Sequence, residues 1–176
     1  MYCVLNKQEK KALHGRSLGE IDPFAVGIPL VDCASSTLEE IYYFRWHTFC
    51  KHIRPTPEGW VVTEFYPEVR WAGKYNTISC PAGHHFYEGR WLYDGKYLES
   101  YANFWFTPEA EPRKYSFWAA DSIFALGKVR GDFSVAEGLY ESLKENFAAW
   151  KREKLQANGL YHQICAVPVE FPILHW

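Results

Sequence analysis

Between Glu40 and Trp91, aromatic rings alternate with ionisable side chains at helical spacing. The run Glu40-Ile41-Tyr42-Tyr43-Phe44-Arg45-Trp46-His47-Thr48-Phe49 opens this stretch, and Gly83-His84-His85-Phe86-Tyr87-Glu88-Gly89-Arg90-Trp91 closes it. Such a mixture is expensive to bury unless every polar group finds a partner. It suits a surface for sugars, whose C–H faces pack on rings and whose hydroxyls need charged or amide hydrogen-bond partners. Carbohydrate is the ligand class these residue types favour.

Three acids and two histidines raise more specific chemistry. His84 and Glu88 stand four apart and share a helix face, which is half a metal site. Spacing places no third ligand, and neither H-E-x-x-H nor H-x-x-E-H occurs. Polar cleft lining and a hydrogen-bonded structural cluster are the other readings of His84, His85 and Glu88. No metal and no cofactor is expected. Asp121, inside the otherwise apolar run from Ser116 to Leu126, must be either paired across helices or turned into a cavity. Glu64 either points the same way or is simply solvated, and Arg45 and Arg90 are candidate partners for these acids. G-x-S-x-G and Gly-rich phosphate loops are absent, so hydrolysis by paired carboxylates is the catalytic chemistry the inventory still permits.

The elements that must carry these residues are mostly helices. Residues 1–35 have no sustained periodicity, and Pro23 and Pro29 interrupt their apolar runs, which predicts an extended arm or a few short strands. Ser36-Thr37-Leu38-Glu39 is a capping-box pattern opening a helix to about Lys51, with Leu38, Ile41, Tyr42, Trp46, Phe49 and Ile53 as its buried stripe. Pro55, Pro57 and Gly59 predict a turn, and Trp60 to Phe65 a strand. After a loop, Ser79 caps a second helix to about Leu92; a third spans Asp94 to Phe106 and a fourth Ser116 to Val129. A fifth begins at Ser134-Val135-Ala136-Glu137, with Leu139, Leu143, Phe147 and Trp150 on one face and Gly159 as a break. No fixed-period repeat is visible.

Composition narrows the class. With 176 residues, 48% hydrophobic and 23% charged, the chain is one domain's worth with ample core material. A formal charge of −2, from 19 basic and 21 acidic residues without a basic block, gives no footprint for nucleic acid. There is no run of 18 apolar residues and no apolar signal-peptide core between Met1 and Lys11, so no membrane partner is expected and the chain as written reads as cytoplasmic. Cys3, Cys33, Cys50, Cys80 and Cys165 are scattered without a C-x-x-C pair and read as mostly buried thiols. Aromatic residues make up 18%, including eight Trp, which signals either a large core or a stacking cleft.

A family likeness emerges from the longer motifs. Glu40 to Trp46 with His52-Ile53, Thr63-Glu64-Phe65, Trp71 to Ile78, Gly83-His84-His85 and Glu88-Gly89-Arg90-Trp91 resemble the N-terminal part of bacterial six-hairpin glycosidases. These are the trehalase-like and mannosylglycerate-hydrolase-like glycoside hydrolases. Trp118-Ala119-Ala120-Asp121 and Asn158 to Gln163 extend the likeness, which runs from about Leu30 to Gln163. The resemblance implies an (α/α)6 barrel and inverting hydrolysis of glycosidic bonds, typically α-linked, by one carboxylic acid and one carboxylate base. It places Tyr43, Arg45, Trp46, Glu64, Trp71, Asn76, His84, His85 and Glu88 on a cleft for an oligosaccharide or glycoside, and assigns neither general acid nor general base.

The likeness stops short of the acid. Relatives carry the general-acid Asp just after the segment matching Asn158 to Gln163; here the chain runs Ile164-Cys165-Ala166-Val167-Pro168, and its last aspartate is Asp132. Twelve helices of about 11 residues with about five-residue loops need roughly 190 residues, and only about five helices are legible. The expectation is therefore a mainly α fold: an incomplete (α/α)6 toroid with an irregular N-terminal arm (1–35), a partial six-hairpin glycosidase domain (36–163) with a short strand pair, and a divergent tail (164–176). A truncated, inactive N-terminal portion of a hydrolase is the leading reading. A noncatalytic helical carbohydrate-binding or interaction domain is the alternative.

Overall fold

The computed structural model describes residues 7–15 and 21–162. Two helices, α1 (Lys7–His14) and α2 (Pro23–Val26), occur where the sequence predicts extended chain or strands. Neither carries a long apolar stripe that periodicity could reveal. α1 is largely polar and is held from outside by ion pairs, whereas α2 is one turn started by Asp22, whose carboxylate accepts from the Phe24 amide at 3.0 Å with Pro23 in the first position.

α3 (Ser36–Lys51) is capped one residue earlier than the capping box implies: the Ser35 hydroxyl accepts from the Leu38 amide at 3.4 Å. Glu39 does not reach back. It turns inward, accepting from Lys10 Nζ at 2.6 Å and the Cys33 amide at 3.2 Å, with His14 Nε2 2.8 Å away. The stripe rotates accordingly. Leu38 and Ile41 are exposed, while Glu39, Tyr43, Trp46, His47, Phe49 and Cys50 are buried. The cause is the N-terminal segment, which covers this other face: the Tyr43 ring stacks on His14 at 4.5 Å and on Phe24 at 5.7 Å.

Ile53, placed by spacing on the helix stripe, instead starts β1 (Ile53–Thr56), which pairs antiparallel with β2 (Gly59–Val62), Ile53 opposite Val62 and Thr56 opposite Gly59. The strand is shorter than the Trp60 to Phe65 run, and Pro55 lies within β1, tolerable in a two-stranded ribbon with free edges. After a loop with a 3-10 turn at Lys74–Asn76 come α4 (Ser79–Gly89), α5 (Lys96–Phe104), α6 (Ala119–Arg130), α7 (Ser134–Gly138) and α8 (Tyr140–Lys154). Ser79 is not a cap; its hydroxyl accepts from the Tyr115 amide at 3.1 Å and ties the start of α4 to the loop before α6. The helix read from Ser134 onward is broken at Leu139, and Phe147, assigned to its buried stripe, is exposed.

Eight helices and one hairpin among the described residues replace the five helices expected. The architecture is mainly α with a small antiparallel sheet, consistent with part of a helical toroid. α5 packs along β2 and α4 against α6. At their junction buried rings form one continuous pile: Phe86 on Tyr101 at 5.1 Å, Tyr101 near Phe104 at 6.3 Å, and Phe117 against both Phe86 and Trp105. Ten aromatic residues are thus buried in the core, while eleven others among the described residues are exposed. Gly89 permits that packing, since a Cβ there would meet Leu98 Cδ2 and Phe49 Cζ at 2.8 Å. Cys50 is a buried thiol that desolvation pushes up to about 12, but Cys33 and Cys80 are exposed, contrary to expectation. Cys3, Cys165 and the tail 164–176 lie outside the described residues. Among those described, no helix is long and apolar enough to cross a membrane.

Candidate functional site

A concavity of about 310 Å³ opens where the C-terminal half of α3, the exit of β2 and the middle of α4 meet. α3 presents Arg45, Thr48 and His52 at steps of three and four, one face of the helix and its cap. α4 presents His85 and Glu88 by the same rule. Glu64 enters just beyond β2, and the Phe44 ring, about half exposed, forms part of the wall.

The polar groups are paired across elements. Arg45 Nη2 donates to both Glu88 carboxylate oxygens at 3.0 Å, bridging α3 and α4. This pair is partly solvated, so it contributes about 1 kcal/mol or less to stability and more to orientation. His85 lies between two partners: Nε2 faces Glu64 Oε2 at 3.5 Å, and Nδ1 is 3.3 Å from the Tyr101 hydroxyl beneath it. His52 Nδ1 is 3.0 Å from the Thr63 carbonyl oxygen, and burial holds its imidazole below the ordinary pKa, favouring the neutral ring.

Glu64 is set by its loop. Its amide donates to the Asn76 carbonyl at 2.9 Å, closing the segment between them. Tyr75 and Asn76 sit in the left-handed region at φ 55° and 58°, which directs that carbonyl back toward Glu64. Asn76 also grips the loop: Oδ1 accepts from the Val69 amide at 3.1 Å and Nδ2 donates to the Val69 carbonyl at 3.0 Å.

Of the nine residues that the sequence places on a sugar cleft, Arg45, Glu64, His85 and Glu88 converge on this concavity. Tyr43 and Trp46 lie in the core; the Tyr43 hydroxyl donates to the Val31 carbonyl at 2.9 Å, and Trp46 meets Phe49 edge-on at 5.9 Å. Asn76 is buried as the loop clamp just described. His84 points to solvent with its ring edge-on to Trp118 at 5.0 Å. Trp71 is exposed against Phe65 and borders a separate cleft beside Lys74. Asp121 accepts from the Tyr87 hydroxyl at 2.6 Å, joining α4 to α6. His52, Thr48 and Tyr101 were not singled out from sequence as lining or supporting residues. The signal for His52 and Thr48 was their helical register with Arg45; Tyr101 had none, because its role depends on which helix crosses under α4. Among the described residues no three His, Cys, Asp or Glu side chains gather in an arrangement able to hold a metal.

The arrangement offers a polyhydroxylated ligand guanidinium donors on Arg45, carboxylate acceptors on Glu64 and Glu88, an imidazole edge on His85 and a ring face on Phe44. Residues 74–168 match a family model described as the mannosylglycerate hydrolase MGH1-like glycoside hydrolase domain, a range that includes His85, Glu88 and Tyr101. Among solved structures the chain is similar to one named sialidase, with 34% sequence identity and a TM-score of 0.75 over 89% of this chain. The chain spans 16% of that protein's length. A comparison with curated proteins gave no match. The family match covers more than half of the sequence and agrees with the helical architecture, and the chain belongs to the mannosylglycerate hydrolase MGH1-like glycoside hydrolase family.

Proposed function

We propose that this chain forms part of a six-hairpin glycoside hydrolase and that the concavity between α3, β2 and α4 is one wall of its saccharide site. The observation that carries the reading is the convergence of Arg45, Glu64, His85 and Glu88, drawn from three elements, around one opening bordered by an aromatic ring. In this reading the wall orients sugar hydroxyls. Arg45 and Glu88 form one donor–acceptor pair, and His85 and Glu64 the other. Inverting hydrolysis, the proposed reaction on α-linked bonds, needs a protonated carboxyl at the leaving oxygen and a second carboxylate set back far enough for a water. Neither Glu64 nor Glu88 is assigned either role, and the acid and base are proposed to come from outside the described residues.

A second reading, a carbohydrate-binding domain without hydrolysis, is favoured by the engagement of both cavity carboxylates: Glu88 is held by Arg45, and Glu64 faces His85. Calorimetry on the monodisperse full chain with a panel of α-linked disaccharides tests the shared element. Wild type binds at least one, and Arg45→Ala weakens that binding by roughly tenfold or more, the scale of a lost charged hydrogen bond. No heat from any disaccharide, or equal affinity in the variant, removes the saccharide reading. Release of reducing sugar by a protein that carries this chain together with the acid and base would then separate hydrolase from binding domain.

A further inference from the structure

We propose that Tyr101 is a positioning residue for the cleft, donating its hydroxyl proton to His85 Nδ1 and so holding His85 as the tautomer whose Nε2–H faces Glu64. The significance for ligand binding rests on the saccharide reading above; the tautomer itself does not.

The geometry leaves Tyr101 few alternatives. It is 0% exposed, at the centre of the ring pile formed with Phe86, Phe104 and Trp105, so its orientation is fixed by packing from several sides. Its hydroxyl lies 3.3 Å from His85 Nδ1. Burial holds that phenol well above its ordinary pKa, so it keeps its proton and can act as donor.

The opposite tautomer is disfavoured at both ends. With the proton on Nδ1, the hydroxyl would have to accept instead of donate, and its own proton would have to be placed elsewhere in a dry ring stack. At the other edge the bare Nε2 lone pair would face the Glu64 carboxylate at 3.5 Å, lone pair against anion. With the proton on Nε2, both ends are complementary: Tyr101 donates inward, and His85 donates outward. A bound hydroxyl then meets a fixed donor beside a fixed acceptor. A core residue with no access to ligand thereby sets the polarity of the cleft surface.

Long-range proton–nitrogen correlation spectra of the 15N-histidine-labelled full chain test this directly. At a pH where His85 is neutral, wild type should show an unprotonated Nδ1 and a protonated Nε2, with a coupling across the hydrogen bond from the Tyr101 hydroxyl proton to Nδ1. Tyr101→Phe, which deletes one oxygen from the stack, should shift the tautomer ratio toward the Nδ1–H form by roughly tenfold, the scale of one net hydrogen bond. A wild-type His85 protonated at Nδ1, or a folded Tyr101→Phe protein with an unchanged ratio, overturns the proposal. Should the variant fail to fold, the wild-type coupling decides alone, its absence counting against the hydrogen bond. A chain with the expected tautomer that binds no disaccharide upholds the role of Tyr101 and sinks only the saccharide reading.

Discussion

Glu39→Gln probes the charge cluster that fastens α1 to α3. Glu39 is 7% exposed and Lys10 1% exposed, and their ion pair is 2.6 Å long. With Glu39 neutral, the Lys10 ammonium keeps only Asp32 at 3.2 Å, a carboxylate about one-third exposed. Removing one partner of a buried ion pair costs roughly 3–5 kcal/mol. Glutamine preserves the volume and one acceptor oxygen, and Asp32 stays, so the expected loss is about 2–3 kcal/mol. The double variant Lys10→Met with Glu39→Gln removes the stranded charge and should lose less than the single variant. Urea unfolding of the full chain at neutral pH measures all three. A second arm uses acid. The Lys10 hydrogen bond, working against burial, lowers the Glu39 carboxyl from 4.5 to about 2. A folded-state pKa below the unfolded one stabilises fully above the unfolded value and is lost as pH falls through the folded value. The gap between wild type and Glu39→Gln should therefore be widest at neutral pH and close between 4.5 and about 2. A gap below about 0.5 kcal/mol at neutral pH, or one that does not change with acid, would refute the reasoning.

Two further substitutions test how the site is supported. Asn76→Ala loses both hydrogen bonds to Val69 and puts a Cβ-bearing residue without a local partner at φ 58°, with an expected cost of roughly 2–4 kcal/mol; Asn76→Gly, free of the steric part, should recover about 1 kcal/mol in thermal melts, and equal melting temperatures for the two would remove the backbone argument. Gly89→Ala drives a methyl against Leu98 and Phe49, both buried, with an expected cost of about 1–3 kcal/mol in urea unfolding; an unchanged or raised stability would show that the α4–α5 contact has room.

Long helices were legible because their register repeats. α4, α5, α6 and the α7–α8 region begin within a few residues of the positions that Ser79, Asp94, Ser116 and Ser134 suggest. What spacing could not show was which side of a helix is covered. α3 carries apolar residues on two faces, and the choice between Leu38 with Ile41 and Tyr43 with Cys50 was made by α1 and α2, which have too little apolar repeat to announce themselves. The same rotation took Tyr43 into the core, kept Trp46 there and left Arg45 at the concavity. Cap residues were ambiguous for a related reason: Ser35 and Ser36 are adjacent, and the side-chain partners of Glu39, His14 and Lys10, lie 25 to 29 residues away in sequence. Arg45 with Glu88 and His85 with Glu64 could be named as candidates but not joined, because those contacts depend on how α3, β2 and α4 meet.

In the proposed site, the stack beneath His85 ties folding to recognition through a single oxygen. Phe86, Phe104 and Trp105 never meet a ligand, yet each helps to fix the tilt of the ring that carries that oxygen. Mutational drift among these hydrophobic neighbours would therefore be felt as altered hydroxyl preference before it was felt as loss of shape. Solvent-facing residues are not the only ones through which such an enzyme family could diversify its diet.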